Sequence, residues 1–116
     1  IKKEDVYKID SSKIIKGILQ DMEKGISNSM ISAKFHNTIV NITIHMVCRL
    51  REECSINKVV LSGGVFENEY LLKKTYKILK DNGFQVFFNR CIPINDSGVS
   101  FGQVATAEEL LKERCL

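Results

Sequence analysis

The 116-residue sequence has no apolar run near the roughly 20 residues that a membrane helix needs, so a membrane span is not expected. No signal-peptide pattern opens the residues given. Its four cysteines, Cys48, Cys54, Cys91 and Cys115, include no CxxC pair and are widely spaced. A zinc knuckle and a disulfide framework are therefore not expected, and the thiols are read as reduced, in a cytoplasmic protein. The two histidines, His36 and His45, are too far apart to form the i, i+4 pair of a metal-binding helix. The net charge is only +3, with lysines scattered among acids, so there is no basic stripe and nucleic acid is not an expected partner. Internal repeats and low-complexity segments are absent. The sequence opens on Ile1 rather than Met and is expected to be a piece of something longer.

What is present is ordinary globular composition, with 44% hydrophobic and 27% charged residues. The length suits one domain with a real core. The stretch that organises the rest is Val59-Val60-Leu61-Ser62-Gly63-Gly64-Val65-Phe66-Glu67-Asn68. A short apolar run ends in two glycines, and a helical pattern begins soon after. Unpaired N–H groups and the positive end of the helix dipole gather at such a junction, and glycines let an anion approach the backbone. A turn with no ligand is the plainer reading of a glycine pair taken alone.

The spacing predicts a helix beginning near Asp10–Ser12, with Ile15, Leu19, Met22 and Ile26 inward, Ile14 and Ile18 widening the stripe, and Gly25 as its stop. A long helix should follow, capped by Ser27, Asn28 or Ser29 and ending near Cys54. Met30, Phe35, Ile39, Ile42, Met46 and Leu50 trace one face, and Ile31, Val40, Ile44 and Val47 broaden it. So wide an apolar face predicts contact on two sides. Its β-branched residues from Ile39 to Val47 also suit a strand, but length and the polar breaks favour helix. His36 and His45 are read first as satisfied or half-exposed helix histidines.

Lys58–Ser62 should be a strand covered on both faces, Glu67–Asn82 a helix with Leu71, Leu72, Tyr76 and Leu79 inward, and Phe84–Phe88 a second strand. Gly83 closes the helix. Strand, helix, strand is a right-handed βαβ unit with parallel strands, and ligands in such sheets sit beyond the strand C-termini. The glycine turn lies at that edge, as does the loop Asn89–Gly98, which holds the only proline, Pro93. A final helix should run from about Val99 to Arg114, with Ser100, Gly102, Ala105 and Ala107 letting it lie close to a neighbour. Asp96 or Ser97 is a natural N-cap. The other reading of Asp96 is a carboxylate at the ligand edge, able to hold a cation beside phosphates. Cys91 and Arg90 lie near the same edge. Arg90 could lower a thiol pKa but reads better as a phosphate or surface residue.

Leu61–Asn68, Pro93-Ile94-Asn95-Asp96-Ser97-Gly98 and Gly102-Gln103, in this order and spacing, resemble the C-terminal end of the hydrogenase-maturation carbamoyltransferases of the HypF family. Phe35-His36 also fits that pattern, and the resemblance runs from about residue 27 to the end. The related tRNA threonylcarbamoyl transferases (TsaD) share the Gly-Gly-Val…Asn and Asn-Asp-x-Gly elements, but usually carry small residues where Phe66 stands and lack Gly102-Gln103.

The resemblance implies an α/β fold: a partial actin-like ATPase (ribonuclease H-like) lobe, with a short parallel βαβ unit and flanking helices. Residues 1–116 would be a single domain, with 1–26 as lead-in and first helix and 27–116 as a nucleotide and metal half-site lobe. Gly63, Gly64 and Asn68 match the nucleotide-contacting turn, for ATP or carbamoyl-adenylate. Asp96 matches a ligand of a divalent metal (iron, zinc or magnesium), which two histidines on the other lobe also hold. His36 and His45 do not match those two.

The full family enzyme forms carbamoyl-adenylate from carbamoyl phosphate and ATP. It passes the carbamoyl group to the C-terminal cysteine of a HypE-like acceptor, toward a cyanide ligand of nickel-iron hydrogenase. The expected partners are thus the first lobe and N-terminal domains of the same protein, the acceptor, and, for the isolated chain, a second copy of itself. The chain alone is expected to be inactive, with no catalytic residue of its own. The alternative readings are a lobe of a tRNA threonylcarbamoyl transferase and a non-catalytic nucleotide-binding or assembly module. Ser97 departs from the family's usual Gly or Asn and should stiffen the loop.

Overall fold

Order in the described chain, residues 7–114 of a computed structural model, begins where Asp10 turns back on itself. Its Oδ1 accepts from the Ser12 amide at 2.9 Å, and the Ser12 hydrogen bonds hold its carboxyl below the usual aspartate range. Helix α1 (Ser12–Glu23) follows and stops at Gly25, whose φ of 70° suits a residue without a Cβ. Helix α2 (Asn28–Cys54) continues unbroken through the β-branched segment, so length prevails over local strand propensity. Then come strand β1 (Lys58–Leu61), a 3-10 turn (Gly64–Glu67), helix α3 (Glu69–Asp81), strand β2 (Gln85–Phe88) and helix α4 (Ser97–Arg114). Each predicted element is present. The main boundary change is the 3-10 turn, which delays α3 by two residues. Cys115 and the first six residues lie outside the described chain. No helix among the described residues is long and apolar enough to cross a membrane.

The chain divides into two compact units, one up to Ile39 and one from Val40 on, with the boundary inside α2. In the first, α1 and the start of α2 meet through Ile14, Gly17, Ile18 and Asp21 on one side and Ile31, Lys34 and Phe35 on the other. Lys34 Nζ reaches Asp21 Oδ2 at 2.8 Å. The predicted stripe is corrected here. Ile15, Leu19 and Met22 are exposed, and the flank carrying Ile14 and Ile18 turns inward. That flank contains Gly17 and the carboxylate that meets Lys34, a combination that apolar spacing alone does not reveal.

In the second unit, β1 and β2 pair in parallel, with Val59 opposite Val86 and Leu61 opposite Phe88. Leu61, Leu79, Phe84 and Val86 form the buried core, with Phe66, Leu72 and Tyr76 packed around it. Leu79 is wholly buried. Tyr76 meets the edge of the Phe88 ring at 5.6 Å. From α2 the inward residues are Val40, Ile44, Val47 and Cys48; the first three are residues expected to broaden the apolar face, and Ile39, Ile42 and Met46 of its centre line are half-buried. Phe35 and Leu50 of that predicted face remain exposed.

Arg51 fixes the end of α2. It stacks 4.0 Å above the Phe84 ring and donates to the Asn82 carbonyl at 2.8 Å. The sheet is covered on one face only among the described residues. On the other, Val60 is 70% and Phe87 51% exposed, where coverage of both faces was expected. Residues 99–112 of α4 are likewise exposed, although the small residues early in the helix had pointed to a close neighbour. The described residues contain nothing that covers either surface.

Candidate functional site

Parallel pairing places the C-terminal ends of both strands at the same edge of the sheet. The chain leaves β1 through Ser62 and Gly63, and leaves β2 through Asn89 and the loop that leads to α4. Gly63 turns the chain with φ 103° and ψ 154°, a conformation that L side chains rarely adopt. A Cβ at this position would have nothing within 4 Å, so the requirement for glycine lies in the backbone angle, and the surface above it is open.

Two groups tie the turn to the loop. The Gly63 amide donates to the Ile94 carbonyl at 2.8 Å. Asn95 Nδ2 donates to Glu67 Oε1. Because the Gly63 N–H is engaged, the turn's other donors matter. No hydrogen bond is recorded for the Gly64 and Val65 amides among the described residues. They lie at the start of the 3-10 turn, where N–H groups have no partner within the helix.

Asn68 caps α3: its Oδ1 accepts from the Leu71 amide at 3.2 Å. Beside the cap, Lys73 holds the Glu69 carboxyl below the usual glutamate range by hydrogen bond and charge.

In the loop, the helix start is made by Asn95. Its Oδ1 accepts from the Ser97 amide at 3.0 Å, and its carbonyl accepts from the Gly98 amide at 3.0 Å. Asp96, one of the two predicted caps, therefore caps through its backbone only: its carbonyl accepts from the Val99 amide at 3.0 Å. The carboxylate is exposed, and no partner is recorded for it among the described residues. Gly98 is packed tightly, since a Cβ there would stand 2.6 Å from the Pro93 carbonyl oxygen.

Gly63, Gly64, Asn68 and Asp96 thus belong to two segments that the fold ties together. Sequence reasoning missed Glu67 and the linking role of Asn95. The Asn95–Ser97 spacing of an Asx turn was a usable local signal. The Glu67 contact, made 28 positions away, had none.

The remaining candidates divide. Arg90 stacks 5.1 Å above the Phe88 ring, and the exposed Cys91 is a free thiol. In the other unit, the half-buried His36 places Nδ1 2.7 Å from the Ser32 carbonyl. A carbonyl can only accept, so Nδ1 carries the proton. His45 is exposed. No three His, Cys, Asp or Glu side chains among the described residues converge as a metal site would require.

Comparison with known proteins bears on this edge. Residues 1–103 match the family model described as "Carbamoyltransferase, Kae1-like Domain, second subdomain". A solved structure, full-length HypF in the phosphate- and nucleotide-bound form, superposes with a TM-score of 0.85 at 49% identity, over 94% of this chain and 17% of that one. The carbamoyltransferase HypF of Synechocystis is 37% identical over 88% of the chain, which spans 12% of that protein. A tRNA N6-adenosine threonylcarbamoyltransferase of Ehrlichia ruminantium is 31% identical over 69% of the chain and 25% of its own length. The chain therefore spans less than a fifth of the length of these HypF proteins.

Proposed function

The chain belongs to the HypF family of carbamoyltransferases, and on that footing we propose that it supplies part of the nucleotide and metal site for a carbamoyl transfer in nickel-iron hydrogenase maturation. Its α/β fold is the partial actin-like ATPase lobe of that family. The donor is carbamoyl-adenylate, made from carbamoyl phosphate and ATP, and the acceptor is the C-terminal cysteine of a HypE-like protein in the cytoplasm. In the transfer a C–S bond forms at the carbamoyl carbon, its bond to the phosphate oxygen breaks, and AMP leaves. The observation that carries this reading is the double tie that brings the glycine turn and the Asp96 loop to one edge of a parallel sheet.

The residues of this chain position; they do not react. The Gly64 and Val65 amides, which have no partner within the 3-10 turn, donate to phosphate oxygens. Gly63 leaves its face open so that the nucleotide can approach the backbone. Asn68 holds the beginning of α3 in place. Asp96 offers one hard oxygen donor and fits one corner of a metal site, whose remaining ligands must come from elsewhere. A divalent metal completed there would polarise the carbonyl and offset phosphate charge.

Phe66 packs against the core, and it stands where the tRNA enzymes usually carry a small residue, which supports the HypF reading. The test is a titration of the 15N-labelled chain with ATP and Mg2+. Shifts at Gly63, Gly64, Asn68 and residues 95–98 are expected, and silence at millimolar nucleotide would count against the half-site. The isolated chain should transfer no carbamoyl group to a cysteine-ended acceptor peptide, and any transfer would overturn the division of labour proposed here.

A further inference from the structure

Two ties hold the loop to the glycine turn, and they differ in kind. The bond from the Gly63 amide to the Ile94 carbonyl is made by backbone and is indifferent to side chain. By itself it is a single pivot. The second tie, from Asn95 Nδ2 to Glu67 Oε1, depends wholly on the residue at position 67. It also fixes which way the Asn95 amide faces. Nδ2 must meet the carboxylate, so Oδ1 is left to accept the Ser97 amide at 3.0 Å. Asn95 is half-buried, and its Cβ lies 3.8 Å from where a Cβ on Gly64 would stand, an ordinary packing distance that sets the loop beside Gly64. Asp96 lies between Asn95 and Ser97, both held by these bonds, and no partner is recorded for its own carboxylate among the described residues.

We propose that Glu67 is the positioning residue of this edge: through Asn95 it sets the direction of the Asp96 carboxylate relative to the glycine turn. It touches no reacting atom. Its requirement is an acceptor at the right reach, which Glu and Gln satisfy, Ala lacks and the shorter Asp does not extend to. The inference rests on the nucleotide-site reading for its consequence, but the tie itself can be measured without ligand.

The test uses the 116-residue chain and the variants Glu67→Gln, Glu67→Ala and Asn95→Asp. Asn95→Asp keeps the acceptor for Ser97 and sets two carboxylates against each other. Without ligand, amide exchange at Gly63 should rise about tenfold or more in Glu67→Ala and Asn95→Asp, the loss of roughly one hydrogen bond, and exchange at Ser97 should rise likewise in Glu67→Ala, where the Asn95 amide is no longer held in one orientation. Glu67→Gln should stay near wild type, and the Leu79 amide in the core should be unchanged in all three. With ATP and Mg2+ as probe, apparent affinity should fall in the same order. Wild-type exchange in Glu67→Ala would overturn the proposal. So would Glu67→Gln behaving like Glu67→Ala, because the effect would then belong to the charge rather than to positioning. If ATP fails to shift the wild-type chain, the nucleotide reading fails, while the exchange rates still decide the role of Glu67.

Discussion

Three glycines of the candidate edge differ in how far glycine is required, and substitution separates them. Gly63 holds φ at 103° in open space, so Gly63→Ala should cost about 1–3 kcal/mol through backbone strain alone. Gly64 has ordinary room for a Cβ, so Gly64→Ala should stay within about 1 kcal/mol of wild type in either direction. At Gly98 the obstacle is the Pro93 carbonyl, a backbone atom that cannot swing aside, and Gly98→Ala should cost about 1–3 kcal/mol. Urea denaturation of the three variants checks the order.

Glu69 gives a pH-dependent case at the same scale. Lys73 favours its charged form, so the pair stabilises the fold above the ordinary glutamate range. That contribution is lost as pH falls through the lowered folded-state value. Lys73→Ala should move the Glu69 titration upward, as read by carboxyl NMR.

At the scale of elements, burial separates helices that look alike in sequence. Leu79 of α3 is wholly buried, and Leu79→Ala should destabilise by about 2–5 kcal/mol. Leu111 of α4 is exposed, and Leu111→Ala should change stability by less than about 0.5 kcal/mol. Thermal melts of both variants test the contrast.

Helices α1 and α2 show what was legible in advance. The glycines at 25, 63 and 83, the helical spacing and the two apolar runs were enough to place every element, because these signals are local. On α1 and α2 the side that turns inward is the flank expected only to widen the stripe, Ile14 and Ile18 in one and Val40, Ile44 and Val47 in the other. Both helices have wide apolar surfaces, and the choice of flank was made by tertiary partners: Asp21 with Lys34 in one case, the sheet core in the other. The glycine turn and Asp96 were visible as motifs. Glu67 was not, because a contact across 28 positions leaves no trace in spacing.

At the scale of the molecule, the second unit exposes apolar surface on two elements, the outer sheet face at Val60 and Phe87 and the apolar residues of α4. Family membership and the small share of each HypF chain that is matched suit surfaces that other parts of a longer protein would cover. Val60→Thr together with Phe87→Thr should leave the melting temperature of the chain nearly unchanged and lower its tendency to self-associate. Light scattering across a concentration series reads the second effect, and an unchanged association constant would mean that this face is not where copies meet.

The parallel register also sets an order of events in folding. Every β1–β2 pair joins residues 27 positions apart, from Lys58 with Gln85 to Leu61 with Phe88. No tight hairpin can start such a sheet, because the intervening chain must first be shortened. Helix α3, with its Asn68 cap and its Gly83 stop, does that shortening from local signals alone. The ladder is thus expected to form after the helix, and weakening the cap should then slow folding more than it speeds unfolding, as stopped-flow refolding of Asn68→Ala would read.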